Sequence, residues 1–436
     1  MQFGRVGTGT HYTRGQVCGA RKYRAIACAL SVDRLRMRQY NRRRRRGRKY
    51  GTGGCAMKYK VISTDDHLQE APDTWTSRMS AKKWGGNIPQ LVRLPNGNDT
   101  WNIYGAPRFM GTLGSVHGAM PDRTKPPSRW EDVPKIAYVP AERVKAMEQD
   151  GVDVHTFFGN IAGIAGNTFQ DPGWPMDFNL ECIRAFNDFQ IEEYARPFPG
   201  RFITLAIVPL WDVNEAVAEV HRTLKMGIKG ISFAMPQQWK YKHICDPYWD
   251  PLWALCQEAG LSVNLHIGSG GSQGYGPNPN WEGLSPMFRL ATSSTRTISA
   301  NTDVMSTMLY SGIPIRFPKL KIVSSESGMG WVPYLLEVAD HQYERQKLWQ
   351  EGMNILPSAI FHRQFYVNFW FEVNGAQQRH VIGMNNIMWE SDFPHPTCTY
   401  PASQDYIARC MKDWTPAERQ QVLVDNAVRV FNLNPN

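Results

Sequence analysis

The sequence predicts an α/β fold, a (β/α)8 TIM barrel, on three observations. Eight apolar runs of strand length alternate with amphipathic stretches between Met57 and Asn436. Strand runs that alternate with helix signals, buried on both sides, imply a parallel sheet. At four ends the run is followed at once by carboxylate or imidazole residues, and barrel enzymes carry their chemistry at the C-terminal strand ends.

Taken in order, residues 1–56 come first and stand apart. They carry 15 Lys/Arg against one acid, Asp33, whereas the rest of the chain has 34 basic and 38 acidic residues; the formal charge of +10 therefore belongs entirely to this leader. The leader is Gly- and Arg-rich, contains Arg42–Arg46 followed by Arg48 and Lys49, and shows no periodicity, so it reads as disordered. A transit peptide, a nucleic-acid tail and an upstream extension from a mis-chosen start all fit. The third is the most economical, because Met57 directly precedes the first strand.

That strand is Lys58–Thr64. The others are Val152–Phe158, Phe202–Pro209, Ile228–Phe233, Leu261–His266, Leu320–Ser324, Phe365–Trp370 and Asn386–Trp389. Between them, Trp249, Leu252, Trp253 and Cys256 fall at i, i+3, i+4 and i+7 and stop at Gly260, as a helix with one buried face does. Thr415-Pro-Ala-Glu418 reads as a capping box with proline at the first helical position. Surplus length lies at about 80–140, rich in Pro, Gly, Trp and Asn, which reads as an inserted cap or binding loop over one end of the barrel. A second enlarged loop, Gly268–Gly276, lacks the Lys-Ser/Thr ending of a phosphate cradle.

The eight cysteines include no CxxC pair, which suits a reduced, cytoplasmic compartment, and no apolar run reaches the length of a membrane span. A membrane partner is not expected, and nucleic acid would involve only the Arg42–Lys49 tail.

The strand ends converge. In Asp65-Asp66-His67 the period-2 alternation sends Asp65 and His67 one way and Asp66 the other, so Asp66 is expected to be structural. His266 ends the fifth strand, Ser325-Glu326 the sixth, and Glu390-Ser-Asp392-Phe-Pro-His395 the eighth. Two imidazoles and two carboxylates suit Zn²⁺, and also Mn²⁺. Asp392 is the acid/base candidate beside the ion, with Glu326 and His395 as further catalytic candidates. Trp331, Trp101, Arg108 and Tyr275 are candidates for lining a substrate pocket.

Asp65-x-His67, His266 before a Gly-rich loop, Ser391-Asp392-Phe-Pro-His395, Asp246-Pro-Tyr-Trp-Asp-Pro-Leu-Trp253, Glu326-Ser-Gly-Met-Gly-Trp331 and Asp425-Asn-Ala-Val428 together resemble the amidohydrolase-related barrel family, in its aminocarboxymuconate-semialdehyde decarboxylase-like branch. The resemblance runs from Met57 to Asn436. It implies a homodimer and one divalent ion, zinc or sometimes manganese, held by Asp65, His67, His266 and Asp392. It also implies non-oxidative decarboxylation of a hydroxylated aromatic or unsaturated carboxylic acid, with metal-dependent hydrolysis of a C–N, C–O or C–C acyl bond as the alternative. Decarboxylases of the branch often carry His-x-Gly-Glu after the sixth strand, and Glu326 occupies that histidine position here.

Overall fold

The computed structural model describes residues 59–107, 113–270, 283 and 285–434. The expectations for residues 1–56, for Arg108 and Tyr275, and for most of the Gly268–Gly276 loop fall outside those residues. Eight barrel strands form one parallel sheet, seven of them on expected runs: β1 Asp66–Leu68, β5 His155–Gly159, β6 Phe202–Ile207, β7 Gly230–Ser232, β8 Ser262–His266, β9 Lys321–Ser325, β10 Phe365–Phe369 and β11 Ile387–Trp389. Each pairs in parallel with the next, as in Asp66 opposite Phe157 and His266 opposite Ser325. The sheet curls until its last strand meets its first. That seam is made by individual bonds instead of a continuous ladder: the Thr64 N–H donates to the Trp389 carbonyl and the Asp392 N–H to the Asp65 carbonyl, each at 2.9 Å.

The first strand is displaced from its expected position. Residues 59–64 of the expected Lys58–Thr64 run do not form a regular strand, because their N–H groups go to different partners. Lys60 and Val61 donate to the Asp153 carboxylate, Ile62 to the Leu423 carbonyl and Ser63 to Val154. Ile62 makes only an isolated bridge to Val154, and regular pairing starts at Asp66. The helical signals hold: Thr415 and Glu418 form the capping box, and Gly260 takes a left-handed φ of 69° after the helix Asp250–Ala259.

The stretch after β1 has more order than an irregular loop. Strands β2 Gln90–Arg93, β3 Asp99–Ile103 and β4 Ala106–Pro107 form an antiparallel sheet. The β2–β3 hairpin turns at Asn96-Gly97, with Gly97 at φ 83°, where a side chain would be strained. Its apolar face buries Trp101 and Ile103 against Ile88 and Trp75, next to Phe178 of the helix Met176–Phe189. Among the described residues no helix is long and apolar enough to cross a membrane.

Candidate metal centre

The barrel's upper rim brings the strand-end residues to one buried point. Asp65, just before β1, and His67, within it, share a face as the alternation requires, and both are fully buried. His266 ends β8. Glu326 follows β9 and Asp392 lies beyond β11, and both have left-handed backbones, φ 52° and 59°. For non-glycine residues such conformations cost about 1–3 kcal/mol and persist where the surrounding fold imposes them.

The donor atoms are close. His67 Nε2 lies 3.2 Å from His266 Nε2, 3.6 Å from Asp65 Oδ1 and 3.5 Å from Asp392 Oδ1. His266 Nε2 lies 3.3 Å from Asp65 Oδ2 and 3.0 Å from Glu326 Oε2. His395 stacks on His67 with ring centroids 3.4 Å apart, and its Nδ1 is 3.0 Å from Asp392 Oδ1. His266 Nδ1–H donates to the Ile267 carbonyl at 2.7 Å, which leaves the Nε2 lone pair facing the cluster.

These residues fit a divalent ion. Both oxygens of Asp65 and Oδ1 of Asp392 are buried without a hydrogen-bond donor, an expensive arrangement unless a cation sits there. Asp65, His67 and His266 form one mutually close set, and His67, Glu326, Asp392 and His395 a second. The electrostatics agree. Burial raises the Asp65 carboxyl and lowers His67, the latter aided by the neighbouring His395. Burial would lower His266, but Asp65 and Glu326 outweigh it and hold the imidazole well above its usual range. Burial and the Glu326 charge push Asp392 up to about 7. His395 is opposed by burial yet raised to about 10 by Asp392 and Glu326.

Asp66, on the opposite side, accepts from Ser391 Oγ and from the Thr156 N–H, tying β1 to β5 and to the segment after β11. Next to it lies a residue that sequence reasoning missed. Arg143, fully buried on the helix Pro140–Asp150, donates to the His67 carbonyl at 3.1 Å, the Phe393 carbonyl at 3.2 Å and His155 Nδ1 at 3.0 Å. The signal was there: Arg143, Ala146, Met147 and Asp150 occupy i, i+3, i+4 and i+7, which puts a guanidinium on the buried stripe. Glu70, also missed, accepts from the N–H groups of Asn160, Ile161 and Ala162 and shapes the loop after β5.

A cavity of about 330 Å³ opens above the cluster, with His67 and His395 on its floor and Asn160, Ile164, Asn167 and Thr168 among its walls. Of the four residues expected to line a pocket, two are described. Trp101 is buried in the inserted sheet, edge-on to Trp75 and Trp130, and away from the cavity lining. A β-strand that pairs on both sides and packs one face inward gives its aromatic to the local core. Trp331 is half-buried and donates its indole N–H to the Ser327 and Gly328 carbonyls, bracing the loop that carries Glu326.

The amidohydrolase family profile matches residues 115–433, and the chain belongs to that family. As a member it is an enzyme. No curated relative matches. Among solved structures, an amidohydrolase from Mycobacterium avium subsp. paratuberculosis K-10 is similar at 22% identity and a TM-score of 0.67, over 86% of this chain and 100% of that one. A 5-carboxyvanillate decarboxylase from Sphingomonas paucimobilis is similar at 18% and 0.57, over 86% and 100%. A dihydroxybenzoic acid decarboxylase from Polaromonas sp. JS666, crystallised with manganese and 2-nitroresorcinol, is similar at 18% and 0.57, over 86% and 98%. At these identities the likeness is one of fold.

Proposed function

We propose that the chain is a metal-dependent, non-oxidative decarboxylase of a hydroxylated aromatic or unsaturated carboxylic acid. The observation that carries this is a buried cluster of imidazoles and donor-less carboxylate oxygens, two of whose imidazoles, His67 and His395, line a small cavity. A volume of about 330 Å³ is at the low end for ligand sites and suits a single-ring acid. Two of the fold neighbours act on acids of that kind by their names.

Asp65, His67, His266 and Asp392 would hold one divalent ion, zinc or manganese. When bound, such an ion neutralises and orients substrate oxygens as a Lewis acid. The chain's own groups supply the rest. Asp392 is the acid/base group, and His395, whose Nδ1 lies 3.0 Å from its Oδ1 and whose side chain is 14% exposed, connects it to the cavity. In the reaction the bond between the ring or alkene carbon and the carboxyl carbon breaks, CO2 leaves, and the carbon takes a proton relayed through this pair. Arg143 keeps the His67 and Phe393 backbones in register beneath it.

One observation favours a second reading. Glu326 stands where branch decarboxylases carry a histidine, which removes an imidazole from the protonation step and favours hydrolysis with Asp392 as base for water. A panel of hydroxybenzoates and unsaturated keto acids separates the two. Release of CO2 without uptake of solvent oxygen supports decarboxylation, and ¹⁸O incorporation from water into product supports hydrolysis. His266→Ala and Asp392→Ala are each expected to lower bound metal and abolish turnover. Full metal occupancy in both variants would remove the ligand assignment.

A further inference from the structure

Glu326 Oε2 sits among the imidazole nitrogens, with its side chain 9% exposed. That oxygen lies 3.0 Å from His266 Nε2 and 3.7 Å from His67 Nε2. The two oxygens of Asp65 stand 3.3 and 3.6 Å from the same two nitrogens, and Asp392 Oδ1 stands 3.5 Å from His67 Nε2. Donors at about 2.0–2.2 Å from one ion lie roughly 3.0–3.6 Å apart. By separation Glu326 is equivalent to the two aspartates.

Its backbone is built for that position. The left-handed bend at Glu326 is pinned from below by Glu390, whose Oε2 accepts the Glu326 N–H at 3.2 Å. On the far side of the loop, Glu372 accepts from Met329 and Gly330 N–H groups at 2.9 to 3.1 Å. A Cβ at Gly328 would meet the Glu372 carboxylate at 2.7 Å, so the close approach of that clamp depends on glycine. Asp392 shares the left-handed backbone. Two strained, non-glycine residues therefore aim their carboxylates at the same imidazole, His67.

We infer that Glu326 is a fifth ligand of the ion and not the proton donor, so that the site offers three carboxylates and two imidazoles. The inference rests on the metal-dependent reading above. Oxygen-rich, anionic sites favour harder ions, so the substitution of glutamate for histidine at this position would shift preference from zinc toward manganese.

The test is metal binding by the full-length protein, read apart from turnover. Mn²⁺ and Zn²⁺ affinities are measured by chelator competition for wild type, Glu326→Gln and Glu326→His. The d–d absorption of the Co²⁺-substituted proteins is recorded alongside. Loss of an outer partner costs about 10–100-fold in metal affinity. Glu326→Gln is expected to lose more than about 100-fold for Mn²⁺ and to show a stronger cobalt band, as fewer ligands give. Glu326→His is expected to shift the ratio of Mn²⁺ to Zn²⁺ affinity toward zinc relative to wild type. Affinity within tenfold of wild type with an unchanged cobalt spectrum in Glu326→Gln would overturn the inference, even if turnover were lost. If Glu326→Gln does not fold, Glu326→His decides alone: an unaltered Mn²⁺ to Zn²⁺ preference overturns it. Wild type that binds no divalent ion would refute the functional reading itself, a separate result.

Discussion

Replacing Arg143 with methionine keeps the apolar stem and removes the guanidinium. Three acceptors then lose their donor at once: the His67 carbonyl, the Phe393 carbonyl and His155 Nδ1. Hydrogen bonds from a charged donor contribute about 1.5–3 kcal/mol each. Three bonds would sum to roughly 5–9 kcal/mol, but they share one side chain and are not additive, so about 4–6 kcal/mol is expected. Burial lowers the Arg143 pKa to about 10, so the group is still charged at neutral pH. Its charge also faces Asp66, whose carboxyl burial pushes well above its usual range against the opposing pull of Arg143. Against a total stability of about 5–15 kcal/mol, the single variant would be close to unfolding. Urea unfolding followed by tryptophan fluorescence measures the stability, and metal analysis measures whether His67 keeps its position. Arg143→Lys, which cannot reach three partners, should fall in between. A loss below about 1 kcal/mol with unchanged metal content would refute the idea that Arg143 supports the site.

Trp101→Ala is expected to cost about 3–5 kcal/mol by opening a void in the inserted sheet, while metal content stays at the wild-type level. Trp101→Phe should cost much less, because the indole N–H has no acceptor to lose; melts and metal analysis of both variants check this. Glu70 gives a pH signature. Burial raises its carboxyl to about 7 from an unfolded value near 4.5, against the pull of three amide donors. The folded state thus binds the proton more tightly. The stability this contributes is complete below about pH 4.5 and is lost as pH rises through 7. Glu70→Gln removes that dependence, so its stability relative to wild type should rise by about 2.5 kcal/mol from pH 5 to pH 8 in denaturant titrations. A flat difference would mean that the carboxylate is ionised throughout.

The sequence made the barrel and most of the metal cluster readable because both are local signals. An apolar run followed by Asp-x-His, a lone His266 before glycine, and Ser-Asp-Phe-Pro-His each carry their meaning within a few residues. Arg143 and Asp66 were harder. Arg143 works through partners 76 and 250 residues away, and Asp66 through Ser391, which is 325 away. The first strand slipped because Asp153, a side chain, captured amides that a ladder would have used. The antiparallel sheet of the insertion was announced by Asn96-Gly97 between Leu91-Val92 and Thr100-Trp101, a hairpin signal hidden by the surrounding Pro and Gly. Trp101 was misplaced for the same reason: without the hairpin, nothing showed which way its ring faced.

The seam between β11 and β1 has a consequence for how the enzyme comes into being. Seven neighbouring strand pairs can zip up in chain order, each joining segments within about 90 residues of one another, but the last contact joins residues more than 300 apart. Loop-closure entropy makes such long-range contacts late. Asp65 and His67 stand on one lip of that gap and Asp392 on the other, so the proposed ligand set is complete only once the chain has been made almost to its end. A nascent chain that stops short of Ser391 carries a nearly finished sheet but no competent centre, and the ion can act as the clasp that closes it.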